Sequence, residues 1–250
     1  MLARSGYRSS AAAWWLAGAP RSAMTESLPT HTAGLLGSAV VTLLETVRRA
    51  VATAPPVPEL PPEVSRRRGV IGQWVGNTAL SLAGWKVSGN FPDIPKLVII
   101  VAPHTSNWDF IIGFATYLAL DLYANWFGKH TIFIWPFGVV LRRFGGIPIR
   151  RQSREVGQVV DVYADAFQSR DRLLLAIAPE GTRKKVVEWK SGFYRIAVRA
   201  EVPIVPVGLD YRLSRVIIGE PFFPTGDWER DVGIIKSLYE GVTPKHPHQY

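Results

Sequence analysis

There is no cysteine anywhere in the 250-residue chain, which removes disulfides, thiolate nucleophiles and cysteine-containing metal sites together. The five histidines are scattered, with His246 and His248 in a proline-bearing tail, so no spacing suggests a metal cluster. Long apolar runs are missing too: no window reaches the ~18 consecutive apolar residues that span a bilayer. The longest candidate, residues 110–122, is interrupted by Asp121 and reads as a core helix. No G-x-S-x-G elbow occurs, which argues against a serine acyl-enzyme. Methionine is nearly absent as well, with only Met1 and Met24. Residues 1–23 hold Arg4, Arg8 and Arg21, no acid and a short apolar run, which fits either a weak signal or transit peptide or an extension before a start at Met24.

Positive charge, by contrast, is abundant. A formal charge of +9 implies anionic company, whether phosphorylated substrates, lipid headgroups or nucleic acid. The nine tryptophans favour a membrane interface over nucleic acid, and no P-loop or nucleic-acid-binding motif is present. With 47% hydrophobic residues the chain can bury one sizeable core.

Leu35, Leu36, Val40, Leu43, Leu44 and Val47 recur at helical intervals, predicting an amphipathic helix over residues 32–54. Five prolines between positions 55 and 62 then predict a stiff linker, closed by Arg66-Arg67-Arg68. Residues 1–68 thus read as a leader and 69–250 as the main domain. Helical patterning resumes over 69–85, and the two arginine-flanked helices suit either a headgroup layer or the outside of a core. Beyond them, apolar runs at 97–102, 131–135, 173–178 and 204–209 alternate with helical patterns at 109–125, 136–144, 156–169 and 193–199. Such alternation predicts an α/β fold, a central mostly parallel sheet flanked by helices and preceded by N-terminal amphipathic helices. Asp227 is the expected N-cap of a last helix running to position 240, with Gly241 as its stop.

The residues of chemical interest follow the carboxyl ends of the predicted strands, where ligands gather in such sheets. The first block is His104-Thr105-Ser106-Asn107-Trp108-Asp109. Five residues along a helix turn by about 500°, leaving the two side chains ~140° apart if both were helical, so His104 belongs to the loop before the helix. From there its ring can meet Asp109 in the first turn, and a carboxylate fixes the tautomer of an imidazole acting as general base. Ser106 and Asp109 also fit a capping box, and the two roles are compatible. Three more blocks follow: Gly145-Gly146-Ile147-Pro148-Ile149-Arg150-Arg151, Pro179-Glu180-Gly181-Thr182-Arg183, and Val202-Pro203-Ile204-Val205-Pro206-Val207.

In this order and spacing the four blocks resemble the 1-acylglycerol-3-phosphate acyltransferase family, the lysophospholipid acyltransferases, from about Gly84-Trp85 to Tyr211. The resemblance implies a glycerolphosphate-acyltransferase-like fold at the cytoplasmic face of a membrane. It further implies transfer of a fatty acyl group from acyl-CoA or acyl carrier protein to a lysophospholipid hydroxyl, without metal or other cofactor. Residue by residue, it makes His104 the base and Asp109 the acid that orients it. Arg151 becomes the phosphate-holding arginine, Glu180, Gly181, Thr182 and Arg183 the block shaping the acceptor site, and Pro206 a residue on the acyl-donor side. The position before Arg151, commonly acidic in that family, is Arg150 here, which adds charge next to the acceptor headgroup.

The residue types suit that chemistry. Attack of an alcohol on a thioester needs the hydroxyl proton removed as the bond forms, and histidine titrates near neutrality. A thiolate leaves readily, so direct transfer needs no acyl-enzyme, although Thr105 and Ser106 carry hydroxyls. Arginine's planar fork bonds two phosphate oxygens at once. Lys184, Lys185, Lys190, Arg195 and Arg199 extend the positive surface, either as a solvated face or as attraction for coenzyme A phosphates or anionic lipid. Trp135, Phe137 and Trp189 are candidates either for the acyl path or for core packing. Two alternatives stay open: a transacylase or acyltransferase for another lysolipid, and a basic membrane- or nucleic-acid-binding module without catalysis.

Overall fold

A computed structural model describes residues 57–149, 155–183, 186 and 188–249, together with Ser38, Val41, Thr42 and Glu45. The chain divides into two compact units, Met1–Leu44 and Glu45–Tyr250. Of the helix expected over 32–54, the four described positions are helical and exposed. The rest of that helix, residues 1–23, Arg150, Arg151, Lys184 and Lys185 lie outside the described residues.

In the second unit, among the described residues, seven strands form one sheet: β1 (Lys86–Ser88), β2 (Lys96–Ala102), β3 (Asn125–Lys129), β4 (Gly146–Ile149), β5 (Leu173–Ile177), β6 (Ile204–Asp210) and β7 (Arg215–Ile218). Their order is β1-β7-β6-β2-β5-β3-β4. All neighbours pair in parallel except β6 and β7. The helices are α1 (Val70–Leu82), α2 (Asn107–Ala119), α3 (Phe137–Arg143), α4 (Glu155–Gln168), α5 (Gly192–Ala200) and α6 (Trp228–Ser237).

Central strands covered on both faces read as continuous apolar runs, and their alternate side chains go to different cores. Leu97 and Ile99 of β2 and Val205, Val207 and Leu209 of β6 join Leu80 of α1 and Ile112 and Ala115 of α2 on one face. Val98, Ile100, Ala102 and Ile204 meet Val160 and Phe167 of α4, Phe193 and Ile196 of α5, and Ile235 of α6 on the other. The α/β architecture expected from the alternation is the one observed.

Several boundaries differ from expectation. The helix expected over 109–125 stops at Ala119, because Asp121 takes a left-handed conformation (φ 56°). Its carboxylate oxygens accept the amides of Arg68 and Gly69, and its carbonyl accepts that of Arg67. The strand expected at 131–135 lies instead at Asn125–Lys129 and is followed by a 3₁₀ turn, His130–Ile132. The stretch 131–135 is the more apolar of the two, yet the folded chain turns back there so that Phe133 packs its ring 5.9 Å from Trp126. Gly146 to Ile149, within the second sequence block, form an edge strand, where Pro148 is tolerated. Asp227 does cap the last helix, accepting from the Arg230 amide, but that helix ends at Ser237.

Residues 57–68 pack into the domain, with Leu60 and Val64 buried in its core and Ser65 O accepting from Tyr123 N. Proline stiffens this segment, yet its apolar residues are spaced to face inward. Next to it, α1 crosses α2 closely because residue 76 is glycine: a Cβ there would overlap Ala119 N and Ala115 O. Gly76→Val is therefore expected to destabilise by at least ~2 kcal/mol through overpacking against backbone, seen as a lower midpoint in urea unfolding. The opposite side of α1 is apolar and exposed, with Val70 at 79% and Ile71 at 80%. Among the described residues no helix is long and apolar enough to cross a membrane.

Candidate active site

Because β2, β5 and β6 run in parallel, their carboxyl ends share one edge. The first delivers His104, the second Glu180 and the third Tyr211 to that edge. Between β2 and α2 the chain is held by Asp109, whose Oδ2 accepts the amides of Thr105 and Ser106, each at 2.7 Å. Ser106 Oγ accepts the Trp108 amide at 3.1 Å and completes a capping box. The same Oδ2 lies 3.3 Å from His104 Nδ1. Cap and orienting carboxylate are thus one group, as the spacing allowed. Bonding at Nδ1 leaves Nε2 as the acceptor nitrogen, and the ring is 23% exposed, whereas the Asp109 carboxylate is 1% exposed.

Burial pushes the Asp109 carboxyl upward, but donors from His104, Tyr211 and Ser106 outweigh it and hold the group below its ordinary range. The ionised form thus persists beside the imidazole. Tyr211 supplies the donor on the far side, its OH 2.6 Å from Asp109 Oδ1. Burial and this carboxylate raise the phenol far above its ordinary value, so it stays protonated. Its ring is wedged edge-on against Trp85 at 4.9 Å.

Glu180 is 3% exposed and both its carboxylate oxygens accept the His104 amide, at 3.1 and 3.0 Å. Burial raises it to about 7, against the lowering effect of that amide. The carboxylate therefore pins the backbone of the histidine. Gly181 follows at φ 63°, and a Cβ there would press on the Lys190 side chain at 2.9 Å. Thr182 is half-buried and Arg183 is exposed on the same turn.

The remaining candidates are dispersed. Pro206, expected on the acyl-donor side, is buried within β6 in register with Ile100, its ring facing Gly219. Any influence it has on a donor passes through the shape of the sheet. Trp189 is buried against Phe193 and Tyr239 and belongs to the core, while Trp135 and Phe137 are exposed. Among the described residues no group of three potential metal ligands occurs.

Tyr211 escaped the sequence reading: it is one of eight tyrosines, and its only mark is its place just beyond a buried strand. The carboxyl-terminal segment escaped too, although His246 N donates to Thr105 Oγ1 at 3.3 Å and Lys245 Nζ lies 4.5 Å from the Trp108 ring. Tyr211→Phe is expected to lower kcat about 10- to 100-fold, the value of one hydrogen bond to a charged group. Michaelis constants should stay within twofold, and steady-state kinetics on purified variants checks both.

A family model described as Acyltransferase matches residues 86–210. A 1-acyl-sn-glycerol-3-phosphate acyltransferase of Haemophilus influenzae is 27% identical over 145 residues, 56% of this chain and 59% of that protein. The human 1-acyl-sn-glycerol-3-phosphate acyltransferase beta is 31% identical over 101 residues, 39% of this chain and 36% of that protein. The chain thus spans less than two thirds of the length of either curated relative. The crystal structure of the 1-acyl-sn-glycerophosphate (LPA) acyltransferase PlsC from Thermotoga maritima overlays with a TM-score of 0.48 at 20% identity, covering 69% of this chain and 75% of that one.

Proposed function

Since this chain belongs to the acyltransferase family, we propose that it moves a fatty acyl group from an acyl thioester, acyl-CoA or acyl carrier protein, to the hydroxyl of 1-acylglycerol-3-phosphate, giving phosphatidic acid. The acceptor is the one in the names of both curated relatives. The observation that carries the reading is the His104–Asp109 contact at 3.3 Å, with a reachable ring at the carboxyl edge of the sheet.

His104 Nε2 accepts the acceptor's hydroxyl proton while that oxygen attacks the thioester carbonyl. The tetrahedral oxyanion collapses, the C–S bond breaks, and the thiolate takes the proton back from the imidazolium. Asp109 stabilises the charge on the ring in between. Ser106 spends its oxygen on the helix cap, which fits direct transfer without an acyl-enzyme. Arg151, with Arg150 beside it, holds the acceptor's phosphate, and Glu180 to Arg183 shape that side of the site. The reaction takes place at a membrane surface, on the cytoplasmic side, where the lysolipid acceptor keeps its chain in lipid. The exposed apolar side of α1 supports this location.

The test is thiol release from acyl-CoA and from acyl carrier protein thioester in the presence of a panel of lysolipids. Release that depends on 1-acylglycerol-3-phosphate supports the reading. Preference for another lysolipid, or for a phospholipid as acyl donor, replaces it with one of the alternatives, and no release with any pair refutes it.

A further inference from the structure

The connection from β3 to β4 is one of the places where large apolar side chains lie exposed. It starts at Lys129, and because β3 runs parallel to β5 it starts at the sheet edge that carries His104 and Glu180. A stretch so rich in large apolar side chains belongs in a core, yet here Ile134 is 63% exposed, Trp135 85%, Phe137 66%, Val139 63% and Val140 51%. The apolar strip begins beside the catalytic edge and continues along α3 on the outside of the sheet. Residues 129–143 contain no acid. Cations close the strip at both ends, Lys129 at one and Arg142 and Arg143 at the other, all exposed.

Apolar side chains flanked by exposed cations, with a tryptophan as the most exposed of them, match the layering of an anionic bilayer surface: hydrocarbon below, carbonyl and indole level between, phosphates above. Large exposed apolar patches on a soluble face mark interaction sites, and the clustering of cations selects a negatively charged partner. We infer that residues 129–143 form a wedge that inserts into the surface of an anionic lipid bilayer and holds the His104 edge of the sheet against it. The wedge deepens the membrane location proposed above and assigns that contact to a segment distinct from α1.

The full chain is mixed with extruded vesicles of phosphatidylglycerol and phosphatidylcholine, or of phosphatidylcholine alone, and partition is read by sedimentation. Ile134→Ser combined with Val139→Ser is expected to weaken partition about tenfold, since two half-exposed aliphatic groups no longer leave water. Its melting temperature, and its turnover of short-chain substrates kept below their micelle concentrations, stay at the wild-type level. Arg142→Gln with Arg143→Gln weakens binding to the anionic vesicles and leaves binding to neutral ones unchanged. Brominated lipids should quench wild-type tryptophan emission more than that of Trp135→Ser. Partition of the aliphatic double variant within twofold of wild type overturns the inference. Loss of a dimer in that variant, seen without lipid by analytical ultracentrifugation, assigns the strip to a second copy and also overturns it. No turnover of soluble substrates by the wild type would sink the acyl-transfer reading while leaving the vesicle result intact.

Discussion

His104→Ala is expected to lower acyl transfer by about 10³-fold or more, in the range that a positioned general base contributes, with little change in folding. The ring is partly exposed and the loop around it is held through backbone amides on Asp109 and Glu180, so removing the imidazole deletes the base without undoing its support. Asp109→Asn separates the two functions of that carboxylate. An asparagine oxygen can still accept from Thr105, Ser106 and His104, with its NH2 donating to the Tyr211 oxygen, so the cap survives. The negative charge that stabilises an imidazolium does not. A fall of at least about 100-fold in kcat with the fold retained and a modestly lower melting temperature is the expected result. Thiol-release kinetics beside circular dichroism measures both, and full activity in His104→Ala would remove the histidine from the mechanism.

The second large effect is on stability and depends on pH. Glu180 is raised from 4.5 to about 7 by burial, so the native state binds its proton more tightly than the unfolded chain does. A group of this kind contributes stability that is fully present below pH 4.5 and is lost as the pH rises through 7. The difference is on the order of 3 kcal/mol over that window. Glu180→Gln keeps an oxygen for the His104 amide but cannot ionise. Its stability relative to wild type should therefore improve by roughly 3 kcal/mol between pH 4.5 and pH 8. Urea unfolding of both proteins at the two pH values gives the comparison, in which other titrating groups cancel. A constant difference would mean that Glu180 is as easily ionised in the fold as in the unfolded chain.

The contact between His104 and Asp109 was readable because the two residues are neighbours in sequence. His104 and Asp109 are joined by one loop and one helical turn, and the geometry of that turn sets their separation. Glu180 stood out by its position after a buried strand, yet its bond to the His104 amide was not readable, since it joins residues 76 positions apart. Tyr211, 102 positions from Asp109, was less readable still. Such contacts depend on which strands lie side by side, and the order β6-β2-β5 comes from long-range pairing that periodicity does not encode.

The stretch from Asn125 to Phe144 shows the same division. Two adjacent stretches, 125–129 and 131–135, compete there for one strand, and the more apolar of them does not take it. The choice falls to the run that pairs with both β4 and β5, leaving the other on the surface. The alternation of strand and helix, the buried central strands, the cap at Ser106 and the contact of His104 with Asp109 were determined by residue order alone, because each follows from interactions within a few residues or from the period of an element. The strand order, the amide contact of Glu180, the phenol behind Asp109 and the exposure of Trp135 were decided only by tertiary packing, where distant segments compete for the same apolar surface and hydrogen-bonding groups.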